Sequence, residues 1–103
     1  MADWIKVGTL EDSPPGSLRS VMVGFDPVVL ANVDGVIYAL LDRCSHEDLP
    51  LSDGEMEGPN LVCQYHGARF DVATGGPRGL PAVKPVKTFP VEVREDGIYI
   101  QKD

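Results

Sequence analysis

The sequence predicts an all-β protein, an antiparallel β sandwich or small barrel, and three observations support this prediction. Short segments rich in valine and leucine recur along the chain and are separated by glycine and proline. Asp34-Gly35 and Asp96-Gly97 are each predicted to form a two-residue hairpin turn. The 11 glycines and 9 prolines are scattered, and no segment keeps a helical apolar period for more than a turn or two.

The individual elements follow from this pattern. Residues 13–16, Ser-Pro-Pro-Gly, form the first predicted turn, and residues 57–60 form another. The predicted strands occupy residues 4–10, 18–25, 28–33, 36–41, 61–63, 70–72, 87–94 and 98–100. The aromatic residues predicted to lie in the core are Trp4, Phe25, Tyr38, Phe89 and Tyr99.

Length and composition limit the possible functions. A chain of 103 residues is expected to form one domain. It has no apolar run near the roughly 20 residues that span a membrane, and its first residues do not resemble a signal peptide, so we expect a cytoplasmic protein. The formal charge of −7 argues against binding to nucleic acid, which requires basic patches.

The cysteines and histidines form two matching short arms. Cys44-x-His46 and Cys63-x-x-His66 contain every cysteine and histidine of the chain, and 16 residues separate the arms. Each arm offers one thiolate and one imidazole, which are good ligands for iron or zinc. A disulfide between the cysteines is the alternative, but it would need an oxidising compartment and would leave the histidine spacing unexplained.

Two kinds of metal centre fit these arms. Structural zinc sites commonly pair two cysteines on one arm, so an arm that mixes cysteine and histidine is unusual for zinc. In a [2Fe–2S] centre with two ligands of each type, one iron takes both cysteines and the other takes both histidines. The mixed arms favour the iron–sulfur cluster, and a structural zinc module remains the alternative.

The segment that carries the arms differs from its flanks. Residues 42–80 are predicted to form a small subdomain of hairpin loops, inserted in a β base formed by residues 1–41 and 81–103. Within it, residues 42–57 hold six acidic side chains against Arg43 alone, a local charge of −5. This acidic run is either a solvated loop or a docking surface for a basic partner.

The arms, Cys44-Ser45-His46 and Cys63-Gln64-Tyr65-His66-Gly67, resemble the signature of the Rieske family. Ser52-Asp53-Gly54 between the arms and Ala68-Arg69-Phe70-Asp71 after them are also placed as in Rieske proteins, and the resemblance covers most of residues 36–103. It implies a Rieske-like antiparallel fold. It also implies one [2Fe–2S] cluster, whose implied ligands are Cys44, His46, Cys63 and His66.

The resemblance also implies a subtype. High-potential Rieske proteins carry two further cysteines where this chain has Leu49 and Tyr65, so the disulfide of that subtype cannot form here. Their serine and tyrosine hydroxyls, which donate toward sulfur, are replaced by Ala68 and Phe70. We therefore expect a potential near the lower end of the Rieske range of about −150 to +300 mV.

The implied function is electron transfer rather than catalysis. After His46 and His66 no histidine remains for the mononuclear iron of an oxygenase, so no catalytic residue is expected. The chain resembles the ferredoxin component of bacterial biphenyl, toluene and carbazole dioxygenase systems, which carries electrons from a flavin-dependent reductase to the terminal Rieske oxygenase. We expect a monomer that binds no membrane. The alternative is a Rieske small subunit of another oxidoreductase, similar to that of nitrite reductase.

Overall fold

The computed structural model describes residues 3–43, 50–63, 68–79 and 85–102. These residues form eleven short strands in three antiparallel sheets, which confirms the predicted all-β class. None of the helical turns among them has the length or apolarity needed to traverse a bilayer. The strands are β1 (Asp3–Gly8), β2 (Leu18–Val23), β3 (Asp26–Val33), β4 (Val36–Leu41), β5 (Glu55–Glu57), β6 (Asn60–Val62), β7 (Arg69–Asp71), β8 (Pro77–Gly79), β9 (Thr88–Phe89), β10 (Val91–Arg94) and β11 (Gly97–Lys102).

The sheet with strand order β2-β3-β4-β9 forms the middle layer. Successive side chains of a strand point to opposite faces, and β3 is apolar on both faces. Val28 and Leu30 belong to one core cluster, whereas Val29 and Ala31 belong to the other, and all four are fully buried. The middle sheet is therefore covered on both sides.

The sheet with order β1-β11-β10 covers one of these faces. Ile98 and Ile100 of β11 are fully buried against Val28, Leu30 and neighbouring apolar residues. The outward side of this sheet carries the partly exposed Trp4, and the guanidinium of Arg94 lies 5.8 Å from its ring. Because its ring is not enclosed, the prediction that Trp4 is a core residue is wrong.

The sheet with order β5-β6-β7-β8 covers the other face of the middle layer. Leu61 of β6 and Phe70 of β7 lie opposite each other and are fully buried. They pack in one cluster with Val29 and Leu40 of the middle sheet. All four of its strands lie within the predicted insert, residues 42–80, although the sequence pattern did not predict β5 and β8.

One of the two predicted hairpin turns forms at the predicted residues, and the other is shifted. Val33 pairs with Val36, so Asp34-Gly35 is the predicted two-residue turn, and both residues have positive φ. Arg94 pairs with Gly97, so the second turn is formed one residue earlier than predicted. A Cβ atom on Gly97 would overlap the backbone of the neighbouring strand β1, which explains why glycine stands at this position.

Two further predictions are corrected. The predicted strand over residues 87–94 divides at Pro90 into β9 of the middle sheet and β10 of the outer sheet. Proline lacks the N–H that a continuous ladder needs, so the change of sheet falls there. The predicted strand over residues 18–25 ends at Val23, and Phe25 lies in the turn with 95% of its surface exposed rather than in the core.

Candidate metal centre

Cys63, the first predicted ligand of the second arm, is fully buried directly after β6. Its backbone N–H donates to the carbonyl of Ala68 at 2.7 Å, which continues the β6–β7 pairing by one step. The second arm is therefore carried between two paired strands. The other predicted ligands, Cys44, His46 and His66, lie outside the described residues.

The side chains around Cys63 are apolar. Leu51, Leu61, Ala68 and Phe70 are fully buried in the same cluster as Cys63. Ala68 and Phe70 are the two residues that replace hydroxyl-bearing residues of high-potential Rieske proteins, and neither side chain can donate a hydrogen bond. Water is therefore excluded from this side of the site by side chains that do not stabilise added negative charge.

The residues that lead from the scaffold into each arm are called its stem. The stem of the first arm is anchored by Asp42, which lies two residues before Cys44 and is 4% exposed. Its carboxylate accepts hydrogen bonds from the Ser20 hydroxyl at 2.8 Å, the Ser52 hydroxyl at 2.8 Å and the Ser52 N–H at 2.7 Å. Its own N–H donates to the Pro27 carbonyl at 2.9 Å. A buried carboxylate requires such partners because isolated burial of a charge is costly.

The segment between the arms also approaches the stem of the second arm. A 3₁₀ turn, Leu51–Asp53, ends at Gly54, whose N–H donates to the Leu51 carbonyl at 2.9 Å. A Cβ atom on Gly54 would overlap the carbonyl oxygen of Val62, the residue before Cys63. Only glycine allows two backbones to approach this closely.

A tight turn after β7 supports the far end of the hairpin. The Asp71 carboxylate accepts hydrogen bonds from the Ala73 N–H at 2.9 Å, the Thr74 N–H at 3.3 Å and the Arg78 guanidinium at 3.2 Å. Partial burial alone would raise the pKa of Asp71, but these hydrogen bonds and the nearby positive charge outweigh it and hold the pKa below its usual value. Asp71 is therefore a structural carboxylate of the turn.

The structure changes the interpretation of the acidic run. Asp42 is buried and directed inward, so it does not belong to an exposed surface. Glu57 makes two hydrogen bonds at 3.3 Å with Arg69, which partly neutralises it. Asp53 and Glu55 are exposed, and the remaining acidic residues, Glu47 and Asp48, lie outside the described residues.

The donor set of the chain fits a [2Fe–2S] cluster with mixed ligands. It comprises two cysteines and two histidines in two arms, and the described cysteine lies in a dry, apolar environment beside paired strands. Fold and donor set together define the class of small antiparallel β proteins that bind an iron–sulfur cluster through mixed cysteine and histidine ligands.

The chain matches the family model described as "Rieske [2Fe-2S] domain" over residues 3–90, and it belongs to this family. It is 38% identical over 98 residues to "Ferredoxin CarAc" of Metapseudomonas resinovorans, with 94% of this chain and 92% of the relative covered. It is 36% identical over 95 residues to "Biphenyl 2,3-dioxygenase, ferredoxin component" of Rhodococcus jostii (strain RHA1), with 92% of this chain and 89% of the relative covered.

A solved structure agrees with these relatives. A chain in "Complex of reduced oxygenase and oxidized ferredoxin in carbazole 1,9a-dioxygenase" matches with a TM-score of 0.88 and 38% identity, over 94% of this chain and 91% of that chain. The predictions of the Rieske family, of the fold and of a single [2Fe–2S] cofactor are confirmed, and the zinc alternative is not supported.

Sequence reasoning missed two contacts of the site. The inward hydrogen bonds of Asp42 were not expected, because a single sequence does not show which carboxylate of an acidic run is buried. The close approach of Gly54 to Val62 was also missed. Its one available signal was a glycine that directly follows Ser52-Asp53 in a short segment between two ligand arms.

Proposed function

We propose that this protein is a one-electron carrier of an aromatic-ring dioxygenase system, accepting electrons from a flavin-dependent reductase and passing them to the terminal Rieske oxygenase. The observation that supports this most strongly is the nearly full-length match to a protein named ferredoxin, which covers 94% of this chain and 92% of the relative.

We propose that Cys44 and Cys63 bind one iron and that His46 and His66 bind the other. Cys63 is buried, whereas an electron must leave through a side of the cluster that a partner can approach. The histidine side is therefore the proposed exit. We also propose that residues 42–80 form the cluster-binding subdomain and that residues 1–41 and 81–103 form the β base.

The cluster would supply reversible one-electron chemistry, and the protein controls how readily that electron is accepted. Two neutral imidazoles replace two thiolates, so a Rieske cluster carries less negative charge than an all-cysteine cluster and has a higher potential. Ala68 and Phe70 add no donors toward sulfur, and this opposes a further rise. The proposed result is a low potential for a Rieske centre.

The partners and location follow from the same role. The solved complex that contains a similar ferredoxin is a complex with an oxygenase, which supports an oxygenase as the electron acceptor. A flavin-dependent reductase as donor, a monomeric state and a cytoplasmic location complete the proposal. The formal charge of −7 suits steering toward a basic partner surface and opposes binding to nucleic acid.

Cofactor analysis and reconstitution test the proposal. Purified protein should contain two irons and two labile sulfides per chain. When reduced, it should give an electron paramagnetic resonance signal with an average g below that of all-cysteine ferredoxins. Substrate oxidation by a carbazole- or biphenyl-type oxygenase should then require the protein together with a reductase and NADH.

Two outcomes would contradict this proposal. Stoichiometric zinc without labile sulfide would contradict any electron-transfer role for the protein. A loaded cluster that never supports an oxygenase but supports nitrite reduction would instead favour the subunit alternative. A Cys63→Ser variant is the control for both assays, because it removes one proposed ligand.

A further inference from the structure

The 3₁₀ turn Leu51–Asp53 lies between the stems of the two ligand arms and contacts both. Its middle residue, Ser52, donates two hydrogen bonds to Asp42, which precedes Cys44 by two residues. At the other end, Gly54 packs on the carbonyl of Val62, which directly precedes Cys63. One short element therefore connects the two positions from which the ligand arms leave the β scaffold.

The connection to the first stem is made by strong hydrogen bonds. Ser52 donates twice to Asp42, from its N–H at 2.7 Å and from its hydroxyl at 2.8 Å. Hydrogen bonds to a charged acceptor are stronger than neutral ones, and burial of Asp42 limits competition from water. Asp42 is held in turn to the middle sheet through its N–H and the Pro27 carbonyl.

The connection to the second stem depends on shape. Gly54 has no Cβ atom, so its backbone lies directly against the Val62 carbonyl. Leu51 at the start of the turn is fully buried in the same cluster as Leu61 and Cys63. The turn therefore cannot move away from the second stem without opening the core.

We propose that Asp42, Ser52 and Gly54 form an inter-arm brace that fixes the separation of the two ligand stems and thereby retains the cluster. The proposal rests on the ligands given under the proposed function. These three are positioning residues, since none is a proposed ligand. The brace consists only of protein contacts, so it would hold the two stems at the separation that cluster binding requires before the cluster is inserted.

The chain contains a matched pair of residues that separates this role from general stability. Ser20 and Ser52 each donate a hydroxyl hydrogen bond to Oδ2 of Asp42 at 2.8 Å. Ser52 lies in the turn that reaches the second stem, whereas Ser20 lies in β2 of the middle sheet. Ser20→Ala and Ser52→Ala therefore remove the same kind of bond from the same oxygen atom, but only Ser52→Ala weakens the brace.

The experiment measures release of the cluster from both loaded variants. The decay of visible absorbance is followed with an iron chelator in mild denaturant, together with the electron paramagnetic resonance line width and the thermal midpoint of each protein. Ser52→Ala should release the cluster about ten-fold faster than wild type, as expected for loss of one hydrogen bond to a charged group, and should broaden the signal. Ser20→Ala should lower the thermal midpoint comparably but keep the wild-type release rate and line width, and Ser52→Thr should restore slow release.

Two results would overturn the inference in distinguishable ways. Equal release rates in loaded Ser20→Ala and Ser52→Ala would show that the brace has no special role, while the proposed function would stand. If wild-type protein contained no labile sulfide, both the proposed function and the role of the brace in retaining a cluster would be contradicted. Gly54→Ala provides a second test in loaded protein, since its added methyl group should separate the turn from Val62 and also accelerate release.

Discussion

Gly75 and Val86 pack backbone against backbone. The N–H of Val86 donates to the carbonyl of Gly75 at 2.8 Å, and a Cβ atom on Gly75 would overlap the carbonyl oxygen of Val86. This contact holds the turn after β7 to the segment before β9, and so joins the sheet with order β5-β6-β7-β8 to the middle sheet.

Gly75→Ala should destabilise the protein by about 2–4 kcal/mol, because it combines a strained positive φ with a steric overlap. Gly58→Ala is the matched control: Gly58 also has positive φ, but nothing lies within 4 Å of a Cβ atom there. It should cost only about 1–2 kcal/mol. Urea unfolding of both variants measures the difference, and equal losses would show that the Val86 contact is unimportant.

Phe25 should contribute little to stability, because 95% of its surface is exposed in the β2–β3 turn. Phe25→Ala is expected to change the free energy of unfolding by less than about 0.5 kcal/mol. Phe89→Ala, at a position that is 7% exposed, should cost about 3–5 kcal/mol. A large loss of unfolding free energy in Phe25→Ala, measured by thermal or urea unfolding, would show that Phe25 packs in the core after all.

Ala68→Ser should raise the reduction potential, because its hydroxyl adds a donor near the buried Cys63. Phe70→Tyr should act in the same direction for the same reason. Both positions are fully buried, so an added hydroxyl without a partner would also cost about 1–3 kcal/mol of stability. Protein-film voltammetry measures the potentials. Ala73→Ser, which adds the same hydroxyl at an exposed position, is the control, and an equal rise there would contradict the argument.

Reversing the charge of three residues in the acidic run should slow association with the reductase. The triple variant Glu47→Lys, Asp48→Lys and Glu55→Lys should be reduced several-fold more slowly at low salt, because electrostatic steering is lost. The difference should shrink as the ionic strength rises above about 0.1 M, where the Debye length is about 10 Å. Stopped-flow reduction measures the rates.

A control triple at exposed acidic residues of other elements, Glu11→Lys, Glu92→Lys and Glu95→Lys, changes the net charge equally. If both triples slow reduction to the same extent, total charge rather than the acidic run controls docking.

The Asp71 carboxyl should titrate below the ordinary aspartate range. Its pKa is lower in the folded protein than in the unfolded chain, so the folded state binds fewer protons between the two pKa values and stability rises with pH there. The contribution is complete above the unfolded pKa and is lost as the pH falls through the folded pKa. Carbon-13 NMR titration measures the midpoint. Arg78→Gln should raise it, and Arg94→Gln, far from this turn, should leave it unchanged.

The sequence predicted the fold class, the first hairpin turn and the Rieske family with its single [2Fe–2S] cluster, because these depend on local patterns and on one short motif. It failed where tertiary packing decided the outcome. The alternation in residues 87–94 is continuous, but Pro90 divides the segment between two sheets. Gly97 appeared to mark a turn, whereas it permits the close approach of β1. Asp42 appeared to belong to a charged surface, whereas its carboxylate is buried and accepts hydrogen bonds from Ser20 and Ser52.

The pairing of β1 with β11, in which Asp3 lies opposite Lys102, has a consequence for synthesis of the chain on the ribosome. The β2–β3 and β3–β4 hairpins are local and can form as soon as they emerge, as can the β6–β7 hairpin that carries the second arm. The outer sheet must wait for the final strand, because its central member is β11. Both arms are therefore synthesised before the outer sheet can close, and the face of the middle sheet that carries Val28 and Leu30 stays uncovered until β11 has been made.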